Sequence, residues 1–283
     1  TTGDTRGFGR PDDIPVPAGA TEGIAFEPRL GKVFVTSAAS DALTVIQDLG
    51  PARVLFSSDR DGNGEIYRML PDGRNVQRLT FTNDAWEVDA TGSPDGRWIA
   101  YQRYSLFEPN QIWLMSRDGR AAHMLTDGVS DNAQPSWSAD SSKLAFASTR
   151  DGDWEIYVLD LATLGVIRLT DNAWDDLLPD WSKINGRIAF VSTRNAGNAE
   201  LFTMVADGSD VQQLTSNVNG DYAPSWSPLA NPLAFWGTRP AGQALYTVHS
   251  DGSNVQMRVS IKTPIPPTTP QKLLKVKLSA RSE

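Results

Sequence analysis

Residues 134–170 read Q-P-S-W-S-A-D-S-S-K-L-A-F-A-S-T-R-D-G-D-W-E-I-Y-V-L-D-L-A-T-L-G-V-I-R-L-T, and this stretch decides the fold. Gln134–Ser138 is a short strand ended by turn formers at Ala139–Ser142. Lys143–Ala147 alternates as a second strand, Arg150–Asp153 is a tight turn, and Trp154–Leu159 is a third. A connection at Asp160–Gly165 leads to a fourth strand at Val166–Thr170. No segment sustains a 3.6-residue period over three turns, so helices do not account for the pattern.

The same unit recurs along the chain. The pairs Ile66-Tyr67, Ile112-Trp113, Ile156-Tyr157, Leu201-Phe202 and Leu245-Tyr246 follow one another at steps of 46, 44, 45 and 44. Leu79-Thr80, Leu125-Thr126, Leu169-Thr170, Leu214-Thr215 and Val259-Ser260 keep nearly those steps. So do Trp137-Ser138, Trp181-Ser182 and Trp226-Ser227, with Gly92-Ser93 in the equivalent place one repeat earlier. Asp-Gly stands before the fourth strand at 72–73, 118–119, 207–208 and 251–252, where a hairpin needs positive φ. Four-stranded units of about 45 residues are propeller blades: one small sheet cannot bury both faces, so neighbours stack around an axis. Trp137, Trp181 and Trp226 are then wedges between blades.

The copies S-T-R-D-G-D-W-E-I-Y (148–157), S-S-D-R-D-G-N-G-E-I-Y (57–67), S-P-D-G-R-W-I-A-Y (93–101) and A-P-S-W-S-P (223–228) resemble TolB-type, WD40-like β-propeller repeats, over about 43–260. Such repeats occur in the Tol periplasmic system, in surface proteins and in the propellers of some peptidases. The resemblance therefore implies a bacterial protein placed in the periplasm, secreted or at the cell surface.

Five blades are visible, with first strands near 43–47, 88–92, 134–138, 178–182 and 223–227. One step back, strands are expected at 22–26 and 33–36; one step on, near 268–272 and 277–281, with Lys272–Ser279 alternating. The expectation is a six-bladed all-β propeller over 22–279, its last blade shared by 22–36 and about 268–279, because closure removes free sheet edges. Residues 1–21 read as an extended leader and Thr263–Pro270 as a Pro-rich segment, which under a competing reading is a linker.

Composition narrows the function. A net charge of -8 and a pI near 4.9, with no basic stripe, oppose a nucleic-acid partner. No apolar run approaches the roughly 20 residues of a spanning helix. The absence of cysteine excludes disulfides, thiolate metal sites and a cysteine nucleophile. The chain reads as a monomer. Asp59–Gly64 opens like a calcium loop, but Leu70 stands where a bidentate Glu is required, so turn chemistry explains it better. His123 and His249 lie at or beyond repeated strands and form no nucleophile–base pair. Carboxylate pairs leave a polysaccharide-acting enzyme as the least favoured reading.

The functional lead is in the connections preceding each first strand: Asn83–Glu87, Ser130–Asn132, Asp171–Asp176 and Asn219–Tyr222. Repeat symmetry places them on one face. Candidate ligand-binding residues are Trp86, Glu87, Asp131, Asn132, Trp174, Asp175, Asp176, Asp221 and Tyr222, with Asp131, Asp176 and Asp221 as a weaker calcium site. Exposed aromatics beside hydrogen-bonding groups suit a protein or peptide ligand. The competing readings are that the acids only form turns while Trp86 and Trp174 pack between blades, and that the chain is a structural cell-surface domain of a larger exported protein.

Overall fold

The computed structural model describes residues 53–260, apart from 71–72, 196, 228–231 and 241, together with the strands at 23–27 and 32–36. Strands β1 (Gly23–Glu27) and β2 (Lys32–Thr36) form an antiparallel pair. Blade 1 contains β3 (Val54–Ser58), β4 (Glu65–Met69) and β5 (Gln77–Arg78). Blade 2 is β6 (Trp86–Gly92), β7 (Trp98–Tyr104), β8 (Gln111–Ser116) and β9 (His123–Met124). Blade 3 is β10 (Asn132–Trp137), β11 (Lys143–Ser148), β12 (Glu155–Asp160) and β13 (Val166–Arg168). Blade 4 is β14 (Asp176–Trp181), β15 (Ile188–Asn195), β16 (Asn198–Met204) and β17 (Gln212–Gln213). Blade 5 is β18 (Asp221–Trp226), β19 (Leu233–Arg239), β20 (Gly242–Val248) and β21 (Gln256–Ser260).

The repeat period thus yields an all-β propeller array, but the expected count of six is corrected to five blades among the described residues. Among the described residues β1 and β2 pair with each other as a separate two-stranded sheet rather than as part of a shared blade. Alternation reports that a segment is a strand; it does not report which strand it pairs with, so extrapolating the period added a blade. The leader at 1–21, the first strand expected at 43–47, and the segments 263–270 and 268–279 lie outside the described residues.

Blades pack in chain order, and the core sits between them. Trp137 is fully buried among Ala100, Ile112 and Leu114 of blade 2 and Leu144, Phe146 and Tyr157 of blade 3. Its Nε1 donates to the Thr91 carbonyl at 2.9 Å. Trp181 and Trp226 take the same place at the next two boundaries. Each described first strand carries a bulge whose residue has positive φ: Asp89 (53°), Gln134 (60°), Leu178 (54°) and Ala223 (52°). First strands are sheet edges, and their free N–H groups find partners on the neighbouring blade. Leu178 donates to Gln134 Oε1 (2.7 Å), Trp181 to Ser136 Oγ (2.9 Å) and Trp226 to Asp180 Oδ2 (2.7 Å).

Candidate functional site

Because each blade is a four-strand meander, the connection into a first strand and the turn between second and third strands emerge at the same end of the sheets; we call this the upper face. Backbone hydrogen bonds join the two kinds of segment across three of the four boundaries. Glu87 donates to the Gly64 carbonyl (2.7 Å), Asn132 to Asn110 (2.7 Å) and Asp176 to Trp154 (2.7 Å).

Beneath this face each boundary holds one polar network, varied four ways. Between blades 3 and 4, Glu155 Oε1 accepts from Arg168 Nη2 (2.9 Å) and the Asn172 N–H (2.6 Å). Asn172 Nδ2 bridges Glu155 (3.4 Å) and Asp176 (2.8 Å), and Arg194 Nη2 donates to Asp176 at 2.8 Å. Between blades 4 and 5 the roles pass to Glu200, Asn217, Asp221 and Arg239: Asn217 Nδ2 bridges the carboxylates at 3.1 and 2.8 Å, and Arg239 Nη1 donates to Asp221 at 2.6 Å. Between blades 2 and 3 the pair is neutral. Asn132 Nδ2 donates to Gln111 Oε1 (3.3 Å), and Arg150 Nη2 donates to Asn132 Oδ1 (3.0 Å).

At the boundary between blades 1 and 2, Arg78 Nη2 donates to Glu65 at 2.6 Å, but Glu87 lacks a close counter-charge among the described residues. Thr82 replaces the bridging Asn and donates to Glu87 at 3.0 Å, while Arg103 Nε stands 3.6 Å from Glu87. Ser105 occupies the place of the recurring Arg, and the preceding Tyr104 stacks on Trp86, centroids 5.5 Å apart and 12° between planes. Burial, and then the charge of Glu65, push the Glu87 carboxyl up to about 8. Burial also raises Glu155, Glu200 and Asp221, with Arg239 opposing the shift at Asp221.

The residues singled out in sequence therefore separate into two groups. Glu87, Asn132, Asp176 and Asp221 are fully buried within these boundary networks. Asp131 Oδ1 accepts from the Asn110 N–H (2.8 Å) and Asp175 Oδ1 from the Trp154 N–H (3.3 Å), both at the rim. Trp86 is half-buried, Tyr222 lies against the blade 4–5 core, and Trp174 is exposed. Gly64 is required beneath Trp86, since a Cβ there would meet Cδ1 at 2.9 Å. Among the described residues no group of three or more His, Asp or Glu is arranged to hold a metal ion. His123 is exposed on an outer strand and His249 is half-buried on a turn at the opposite end, both apart from the upper-face acids.

Sequence reasoning missed two sets. Glu65, Glu155 and Glu200 are the buried partners of the first-strand acids, and their signal was the Glu immediately preceding Ile66, Ile156 and Leu201. The other set is apolar. Phe107 (93% exposed), Val218 (91%), Leu106 and Val129 (78%) and Phe81 (73%) are the five most exposed large apolar side chains described, and all five are on upper-face connections. Their signal was an apolar residue among turn formers, as in D-G-V-S-D and N-V-N-G. Beside Val218 is an open depression of about 460 Å³ lined by Asn195, Gly197, Asn198, Glu200, Ser216 and Asn217.

Meander blades packed side by side with Trp wedges define a β-propeller protein. Residues 93–198 match the family model described as TolB beta propeller domain. The chain is 33% identical over 119 residues to the Tol-Pal system protein TolB of Desulfosudis oleivorans, a match covering 42% of this chain and 26% of that protein. The chain thus spans about a quarter of the length of the curated relatives it matches. Among solved structures, the putative TolB from Agrobacterium tumefaciens superposes with a TM-score of 0.64 at 21% identity, covering 83% of this chain and 78% of that one. A puromycin-hydrolyzing peptidase of Mycobacterium tuberculosis superposes at 0.63 and 15% identity, covering 86% and 43%, which shows the shared fold.

Proposed function

We propose that the protein is a non-enzymatic binding module of the periplasm that takes a protein or peptide ligand on its upper face. The observation that carries this reading is the concentration there of the most exposed apolar side chains, Phe81, Leu106, Phe107, Val129 and Val218, joined by Trp174. Exposed apolar groups on one face of a folded protein mark an interaction surface, and aromatic anchors supply much of the energy of such contacts. The likeness to TolB-named relatives supports the periplasmic setting. A non-enzymatic role is supported by the state of the paired carboxylates, which are buried and engaged in holding blades together.

The test is capture from envelope extract, with partners identified by mass spectrometry. A specific partner should be lost with Phe107→Ser/Trp174→Ser/Val218→Ser and retained with Ile184→Ser/Val205→Ser, which alters exposed apolar side chains at the other end of the sheets. Equal retention by both variants would remove the upper face as the docking surface.

A further inference from the structure

The connections at the two ends of the sheets differ sharply in charge. The described upper-face segments 59–64, 81–86, 104–110, 126–131, 149–154, 171–175, 193–195, 197–198, 216–220, 239–240 and 242 contain ten carboxylates, four arginines and no lysine. The described segments at the lower end (70, 73–76, 93–97, 117–122, 138–143, 160–165, 182–187, 205–211, 227, 232 and 249–255) contain seven carboxylates and seven Lys or Arg. The described connections thus carry six net negative charges at the upper end and none at the lower, offset in part at the upper end by Arg78, Arg103 and Arg168, which reach Asp61, Asp84 and Asp171 from the strands.

Side-chain placement sharpens that asymmetry. Three of the four arginines point inward: Arg150 bonds Asn132, Arg194 bonds Asp176 and Arg239 bonds Asp221, each also lying over an aromatic ring at 4.6–5.6 Å. Arg60 is held over Phe56 and Tyr67 at 5.1 and 4.7 Å. Six of the ten carboxylates, Asp61, Asp84, Glu108, Asp127, Asp151 and Asp171, are exposed, with Arg103 pairing Asp84 at 3.4 Å and Arg168 pairing Asp171 at 2.9 Å. Among them stand Phe81, Phe107 and Trp174, the three exposed large aromatics described. Phe81 already carries the Arg78 guanidinium at 4.8 Å, so the chain itself shows the contact such a ring makes.

We infer that the ligand of the upper face is a cationic segment of another protein, with Lys or Arg interleaved among large apolar side chains. The inference rests on the docking face proposed above and adds the chemistry of its occupant. Apolar side chains of the segment cover Phe107, Trp174 and Val218, while its cations meet the surrounding field of carboxylates and the ring faces. The acidic field raises the rate of encounter and rejects acidic segments, and the apolar contacts supply the residence time.

The test is fluorescence anisotropy on the full chain with three labelled decapeptides. One alternates lysine with leucine and tryptophan, one has glutamate for every lysine, and one pairs lysine with serine at the same charge. The first should bind about ten-fold or more tighter than either other at 50 mM salt, and weaken several-fold at 300 mM. Asp84→Asn/Glu108→Gln/Asp171→Asn should weaken it roughly three- to ten-fold with the melting temperature unchanged, since these are exposed charges. Equal binding of the glutamate peptide overturns the charge argument, and equal binding of the lysine–serine peptide reduces it to unspecific attraction. Either result, or no peptide binding, alongside a captured partner that Phe107→Ser/Trp174→Ser/Val218→Ser still strips, rejects a cationic occupant while leaving the docking face standing. Peptide binding insensitive to both sets of substitutions places the peptide elsewhere and overturns the inference.

Discussion

Replacing Glu87 by Gln tests the account of the blade boundaries most directly. Glu87 and Glu65 face each other with Thr82 between them; Arg78 pairs with Glu65 at 2.6 Å, while the arginine nearest Glu87, Arg103, stands 3.6 Å away. Glu65 Oε2 has no donor among the described residues, and a proton held by Glu87 supplies one. With the folded-state value near 8 against an ordinary 4.5, the folded protein binds more protons than the unfolded chain between those limits. Stability therefore falls as pH rises from about 4.5 to about 8 and levels above it. At about 1.4 kcal/mol per pH unit, the gap sets a ceiling on the order of 5 kcal/mol for the loss at this site. In Glu87→Gln the side-chain amide keeps the shape, accepts from Thr82 and donates to Glu65 without titrating. Melting curves from pH 5 to 9 should show the variant matching the wild type near pH 5 and exceeding it by about 5–15 °C at pH 8.5. A difference between the two proteins that does not change with pH would refute the reasoning, and so would a variant destabilised at every pH.

Other consequences are more local. Trp137→Ala should cost about 3–5 kcal/mol by urea unfolding, because the ring is fully buried across a boundary; Trp137→Phe should cost less, losing chiefly the donor to the Thr91 carbonyl. Gly64→Ala should displace the Trp86–Tyr104 stack, read as a changed near-ultraviolet spectrum and a lowered melting temperature. Calcium or a chelator should leave the melting temperature unchanged, since Asp176 and Asp221 are engaged by Arg194 and Arg239; a rise of several degrees with calcium would contradict this.

Much of the fold was legible because a repeated unit states its own register. Second and third strands fall within a residue or two of expectation, as at Lys143–Ser148 and Glu155–Asp160. First strands begin about two residues earlier than alternation indicated. Gln134 and Leu178, in the left-handed region, insert a bulge that breaks the period of two, so only the part beyond the bulge reads as a strand. The candidate site was legible as a face but not by depth. Position in the repeat says which end of the sheet Asp176 occupies; it does not say that Arg194 and Asn172 draw its side chain into the boundary. A counter-charge repeated in step with each acid was the missing sign. Leu106, Phe107 and Val218 escaped for the opposite reason, since they stand outside the repeated positions.

The four boundary networks also bear on how such an array tolerates rearrangement. Each blade presents one half of a joint on its third strand and the other half on its first, and the halves are matched pairwise: Glu65 to Glu87, Gln111 to Asn132, Glu155 to Asp176, Glu200 to Asp221. Exchanging blades 2 and 3 would set Glu65 against Asn132 and Gln111 against Asp176, putting neutral and charged halves together. Near-identical repeats are thereby given a fixed order, and a duplicated or shuffled blade arrives with the wrong joint. The small chemical differences between copies act as an address for each blade, discouraging out-of-sequence assembly during folding and recombination alike.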